Sequence, residues 1–213
     1  MKSICVHVID IGNYFPELKS LTLPTIERYC KKIGSDLNII KERKFNEWPL
    51  LTEKLQVYED GKNYDFNMLL DLDVLIHPDC YNPFLKNIPE TYCSFKDNYY
   101  ASNQLDVNDI YFKRDGRNVG ISGCAVFTTK YTHDLWKFPI ELSMEDILCK
   151  IKQERKIVDE YIMSRNLAKY SLKYIEPFSV ETEYNLIFHL GNYDQNKQKI
   201  LDRAKLWYKT FWN

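Results

Sequence analysis

Residues 3–9, SICVHVI, form an apolar and partly β-branched run, the pattern of a buried strand. Asp10, Ile11, Gly12 and Asn13 break it. A helical stretch is predicted from Thr22 to Ile33, with Thr22 as its cap and Pro24 in its first turn. Ile26, Tyr29, Cys30 and Ile33 share one face, and Gly34 closes the helix. A second strand follows at residues 36–40, DLNII. Strand, helix and strand in so short a span make a βαβ unit. Its two strands must run parallel and be joined by a right-handed crossover.

The rest of the chain keeps the alternation. A helix is predicted over Thr52–Asp60, and a single strand over residues 67–76, NMLLDLDVLI. Further strands are expected at Thr91–Phe95, at Ser122–Thr128, near 172–175 and near 185–190. Helices are expected near 131–137, 144–153, 156–168 and 196–210, with Ser143 and Asp146 as a capping box for the second. Residues 98–118 are polar and read as a long loop, a length that is usually functional or mobile. The pattern predicts an α/β fold with a mainly parallel sheet, in one domain over residues 1–213, whether or not the chain is part of a longer protein. The final helix carries Ile200, Ala204, Trp207 and Phe211 on one stripe, which suits packing on the sheet with a basic face outward.

Composition excludes several function classes. A net charge of -1 argues against general nucleic-acid binding, which needs a basic face. The longest apolar runs fall far short of the ~20 residues of a spanning helix. His7 and Asp10 interrupt the N-terminal run, so it is no signal peptide. The six cysteines form no CxxC pair and read as reduced, buried thiols of a cytoplasmic protein. His7, His77 and His133 read as structural. The 16 tyrosines are an excess, for which Tyr14, Tyr99 and Tyr100 are the candidate ligand-stacking rings.

The chemistry is carried by Asp71 and Asp73. They sit at the end of a buried strand, where open α/β sheets bind ligands. Alternation along a strand would point both carboxylates the same way. Such a pair suits a hard divalent cation, Mg²⁺ or Mn²⁺, that bridges to a substrate diphosphate. Two reactions use the pattern: phosphate chemistry of the haloacid dehalogenase kind, and sugar transfer from a nucleotide diphosphate sugar. The first expects its DxD near the N-terminus and a later acidic pair after another strand, and neither is present.

With these residues in view, the chain resembles a GT-A glycosyltransferase, a Rossmann-like fold with a mixed, mainly parallel sheet flanked by helices. Val8-Ile9-Asp10 through Tyr14 resembles the uridine-holding segment, and Lys54 a lysine found near the nucleotide. MLLDLDVLI, with Leu72 between its aspartates, resembles the metal motif. GISGCAVF, with Ser122 and Gly123, resembles the segment along the donor sugar. VDEYI, with Asp159 and Glu160, resembles the acidic helix start that faces the reacting sugar. FHLGNYDQNK resembles the late segment of the glycogenin-like retaining branch, although Gly191 follows His189 by two residues where that branch has three. The chain also resembles the N-terminal domain of large-algal-virus glycosyltransferases.

The resemblance implies Asp71, Asp73 and His189 as metal ligands and Lys197 as a phosphate contact. It implies Asp159 or Glu160 as the catalytic carboxylate. The implied activity is transfer of a hexose-type sugar (glucose, galactose or rhamnose class) from a UDP-sugar to an acceptor hydroxyl on a glycan. A non-catalytic nucleotide-sugar-binding domain is the third reading.

Overall fold

The computed structural model describes residues 2–13, 15–82, 89–98, 120–175, 186–190 and 196–212, with the backbone alone at 96–98. Tyr14, Tyr99, Tyr100, Gly191 and nearly all of the 98–118 loop lie outside the described residues.

Strand β1 (Ile4–Ile9) leads to helix α1 (Pro16–Ile33) and strand β2 (Asp36–Ile40). A 3₁₀ turn (Leu50–Gln56) runs into the short helix α2 (Val57–Asp60), then β3 (Phe66–Leu70) and β4 (Val74–Ile76). Next come β5 (Tyr92–Asn98), β6 (Gly120–Thr129) and a 3₁₀ turn (His133–Trp136). Helix α3 (Met144–Lys150), a 3₁₀ turn (Arg155–Ile157) and α4 (Val158–Lys169) follow. Strands β7 (Lys173–Ile175) and β8 (Ile187–His189) precede the last helix, α5 (Lys197–Trp212).

Six strands form one sheet in the order β2-β1-β3-β6-β5-β7. β1 runs parallel to both β2 and β3, and β5 runs parallel to β7. β6 alone runs against its neighbours, β3 and β5. The predicted βαβ unit and mixed, mainly parallel sheet are therefore the observed ones. β3 shows why the sheet sits at the centre. All five of its residues are buried, and alternation sorts Leu69 into the core on one face and Met68 and Leu70 into the core on the other. The first face is covered by Val158, Tyr161 and Ile162 of α4, and the second by Ile26, Tyr29 and Cys30 of α1.

Several boundaries differ from the sequence expectation. α1 opens at Pro16, not Thr22, because Pro16 supplies the favourable first-turn proline and Leu18 already belongs to the buried stripe. Thr22 is therefore no cap, and its hydroxyl donates to the Leu18 carbonyl at 3.2 Å. Pro24 lies inside the helix. Gly34 does close α1, at φ +69°, a conformation open to glycine without a Cβ penalty. The Ser143 capping box is formed, with Asp146 N–H donating to Ser143 Oγ at 3.1 Å and Ser143 N–H donating to Asp146 at 2.9 Å. The single strand expected over 67–76 is two strands, broken at Asp71–Asp73, and β4 leaves the main sheet to pair with β8. Among the described residues, the apolar stripe of α5 clusters with Leu18 of α1, Leu75 of β4 and Leu190 just beyond β8, and that cluster holds no residue of the six-stranded sheet.

Five of the cysteine thiols are buried, and Cys149 is exposed. Among the described residues, no helix is long and apolar enough to cross a membrane.

Candidate functional site

β3 ends at Leu70, and the next three residues make a turn that both neighbouring strands hold. Asp71 N–H donates to the Cys124 carbonyl on β6 at 2.9 Å, and the Asp71 carbonyl accepts from Val74 N–H at 3.3 Å. The Asp73 carbonyl accepts from Leu190 N–H, just beyond β8, at 3.0 Å. The register of the β4–β8 pair sets His189 opposite Val74, beside Asp73. The shared direction of the two aspartates thus comes from a pinned turn, not from strand alternation. Leu72, between them, packs inward against the α1-side core.

The result is a cluster. One ligand atom from each of Asp71, Asp73 and His189 lies within 4.8 Å of the others. His189 Nε2 is 3.3 Å from Asp73 Oδ1. The side chains of Asp71, Asp73 and His189 keep 22%, 30% and 20% of their surface exposed, so a ligand can reach them. Burial alone would raise the Asp73 carboxyl, but the hydrogen bond and charge of His189 hold it below its ordinary range. Burial likewise pulls against His189, and Asp73 overcomes it and raises the imidazole. Asp71 is raised, chiefly by burial and then by the Asp73 charge, against the pull of Lys54. Two carboxylate oxygens and an imidazole nitrogen, close together and open on one side, fit a divalent cation. The imidazole favours Mn²⁺ over Ca²⁺.

Lys54 lies behind the cluster, on the 3₁₀ turn and not on the regular helix expected there. Its side chain is 5% exposed, and a buried ammonium is costly unless it is paired. Three acceptors surround it: Asp71 Oδ1 at 2.7 Å, Asp159 Oδ2 at 3.2 Å and the Gly123 carbonyl at 3.1 Å. Burial would lower its pKa, but Asp71 and Asp159 overcome that and hold it above the usual lysine range.

Asp159 and Glu160 open α4, where the helix dipole favours carboxylates. Asp159 is 1% exposed, and neither of its carboxylate oxygens has a hydrogen-bond partner among the described residues. Lys54 is its charge partner. Glu160 Oε1 accepts the Gly123 amide at 3.0 Å. Gly123 is thus held through both its N–H and its C=O. A Cβ there would lie 2.8 Å from Asp159 Oδ2 and 2.9 Å from Lys54 Nζ, so the site needs glycine. Ser122, 6% exposed, has its hydroxyl 3.2 Å from Cys124 Sγ.

Val8 pairs with Leu70, so Ile9 and Asp10 come level with the Asp71 turn at the same sheet edge. Asp10 N–H donates to the Ile40 carbonyl at 2.9 Å, and its carboxylate takes Lys19. Lys197 opens α5, with its ammonium 5.3 Å from the Phe15 ring centre.

Two contributors had gone unnoticed in the sequence. Cys124 anchors Asp71 through its carbonyl. Glu53, fully buried, takes Arg43, the amides of Lys44 and Phe45, and Gln56, which ties the loop after β2 to the Lys54 turn. A backbone acceptor leaves no sequence signal, and a lone Glu in a polar stretch looks solvated.

In three dimensions the chain is similar to a glycosyltransferase involved in the glycosylation of the major capsid of PBCV-1, with 14% identity and a TM-score of 0.58. That match covers 96% of this chain and 99% of the other. It is also similar to the galactosyltransferase LgtC, solved with donor and acceptor sugar analogs, with 9% identity and a TM-score of 0.54. There 98% of this chain and 96% of the other are covered. No protein-family model matches the sequence, and no curated protein matches it. At these identities the shared property is the fold, and the fold is that of the GT-A glycosyltransferases.

Proposed function

We propose that residues 1–213 form a metal-dependent glycosyltransferase domain. It moves a hexose-type sugar, of the glucose, galactose or rhamnose class, from a UDP-sugar to a hydroxyl on a glycan acceptor. The carrying observation is the Asp71–Asp73–His189 cluster at the carboxyl end of the central strand of a GT-A fold. The activities named for the two similar structures support the same reading.

Asp71, Asp73 and His189 would hold Mn²⁺ or Mg²⁺, which supplies positive charge to the leaving nucleoside diphosphate. The chain's own residues do the rest. Val8-Ile9-Asp10, with Tyr14 from outside the described residues, would receive the uridine beside the cluster. Lys197 would approach the phosphates from the start of α5. Glu160 fixes the Gly123 amide, so the glycine backbone, with Ser122, presents a surface without side-chain bulk to the donor sugar. Lys54 sets its positive charge between Asp71 and Asp159. Asp159 would face the anomeric carbon. There it takes the acceptor's proton in an inverting reaction, or steadies an oxocarbenium-like state in a retaining one. We place the protein in the cytoplasm, acting on sugar and glycan partners and not on nucleic acid.

The fold argues against the phosphohydrolase reading, since in three dimensions the chain is similar to glycosyltransferases.

Thermal denaturation with UDP, with and without Mn²⁺, tests the proposal. A ligand at 100 times its Kd adds about 2.7 kcal/mol, which is a rise of about 5–11 °C for a chain of this size. No metal-dependent UDP shift would sink the transferase reading. UDP release from a UDP-sugar, with or without acceptor, separates an enzyme from a silent binder.

A further inference from the structure

His189 sits on a strand of three residues whose backbone partner among the described strands is β4. Hydrogen bonds close both ends of this antiparallel pair: Leu190 N–H to the Asp73 carbonyl at 3.0 Å, and His77 N–H to the Leu186 carbonyl at 2.9 Å. A two-stranded ribbon of that length is marginal in water and needs a cover. The cover is α5. Alternation turns Phe188 and Leu190 to the face opposite His189, and on β4 it turns Leu75 the same way. Leu75, Leu190 and Ala204 of α5 are all 0% exposed in one cluster, with Phe188 and Trp207 packed against it.

The aromatic contacts reinforce the cover. The Phe188 and Trp207 rings are near-parallel, 8° apart with centroids at 6.2 Å. Trp207 and Phe211 flank the His77 ring at 6.1 and 4.7 Å. Trp212 Nε1–H donates to the Ile76 carbonyl of β4 at 3.1 Å. Through Leu75, Phe188, Leu190 and His77, the β4–β8 pair is therefore backed by one face of α5 on the side away from His189.

We infer that α5 is the positioning element of the third metal ligand, with Trp207 as the positioning residue that acts on His189 through Phe188. The inference rests on the metal reading of Asp71, Asp73 and His189. It makes the last helix part of the metal site without touching the metal. A ligand on a short ribbon offers its nitrogen at full strength only while the ribbon is docked. Residues that orient ligands in this way typically change metal affinity by about 10–100-fold when lost.

Mn²⁺ binding to the full chain without nucleotide, read by the electron paramagnetic resonance of free Mn²⁺, tests this. His189→Ala is expected to weaken Mn²⁺ at least tenfold. Trp207→Ala should weaken it by about tenfold, and Trp207→Phe should restore most of the loss. The double variant should bind no more weakly than His189→Ala alone, because both changes remove the same ligand. Leu135→Ala, in the core on the other side of the sheet, should lose stability yet keep its Mn²⁺ affinity. If Trp207→Ala does not fold, Ala204→Leu, which lifts α5 off the β4–β8 pair, takes its place with the same expectation.

Wild-type affinity in Trp207→Ala, or a double variant that loses the product of both factors, overturns the inference while the metal reading stands. A matching loss in Leu135→Ala makes the effect global and also overturns it. Unchanged affinity in His189→Ala overturns the metal reading and this inference with it.

Discussion

Replacing Lys54 by methionine keeps most of the side-chain volume and removes the charge between two acids. The ammonium lies 2.7 Å from Asp71 Oδ1 and 3.2 Å from Asp159 Oδ2, so those oxygens are at most about 6 Å apart. Like charges at ~6 Å and an effective dielectric of ~20 repel by about 3 kcal/mol. Breaking a buried pair by removing one partner costs about 3–5 kcal/mol, so the two routes agree near the lower figure. For a chain of this length, each kcal/mol shifts Tm by about 2–4 °C, so Lys54→Met should melt about 6–12 °C lower. The assay is a thermal melt followed by circular dichroism in EDTA at neutral pH. Adding Asp159→Asn to Lys54→Met should recover a good part of the loss, since it removes one of the opposed charges. A loss below about 1 kcal/mol, or a double variant less stable than Lys54→Met, would refute this account of the buried triad.

Other outcomes follow from the same geometry. Gly123→Ala places a Cβ against Lys54 and Asp159 and should cost about 1–3 kcal/mol together with most UDP-sugar turnover; wild-type melting and turnover would contradict the close approach. Asp73→Asn should abolish metal-dependent UDP release while the circular dichroism spectrum stays native, and retained turnover would remove Asp73 from the metal site. Glu141, held by Lys169 and Arg165, is lowered to about 2 from its ordinary value. Its contribution is therefore complete above the unfolded carboxyl range and is lost as pH falls toward 2. The stability gap between wild type and Glu141→Gln should stay level down to about pH 5 and then narrow, and a gap unchanged at about pH 3 would contradict the pairing.

Much of the fold was legible because local signals agreed with the global answer. The first strand, Gly34 and the second strand marked the βαβ unit, and the apolar run before Asp71 marked the central strand. The break inside residues 67–76 was hidden. Val74-Leu75-Ile76 is as apolar as Met68-Leu69-Leu70, so hydrophobicity reads straight across it. The disruptive signal was the aspartates themselves, which are poor strand formers. The start of α1 was misplaced because the chain carries two prolines, either of which could open a helix, and the buried Leu18 decides between them only once the sheet is present. At the site, Asp71, Asp73, Asp159 and Glu160 were visible by type and position, whereas the buried Glu53 was not. The linking of Asp71, Asp159 and Gly123 by one buried ammonium was not, since it joins four segments far apart in sequence. The role of α5 was visible only as an apolar stripe, without the pair of sequence-distant strands that the stripe covers.

The central claim is that Asp71, Asp73 and His189 hold a divalent cation that serves a nucleoside diphosphate. Anomalous diffraction from crystals grown with Mn²⁺ and UDP tests it most directly. The expected result is a manganese peak about 2.0–2.2 Å from Asp73 and His189, with diphosphate oxygens completing its coordination and the uracil beside Val8–Asp10. A peak elsewhere, or UDP bound with no metal at the cluster, would contradict it.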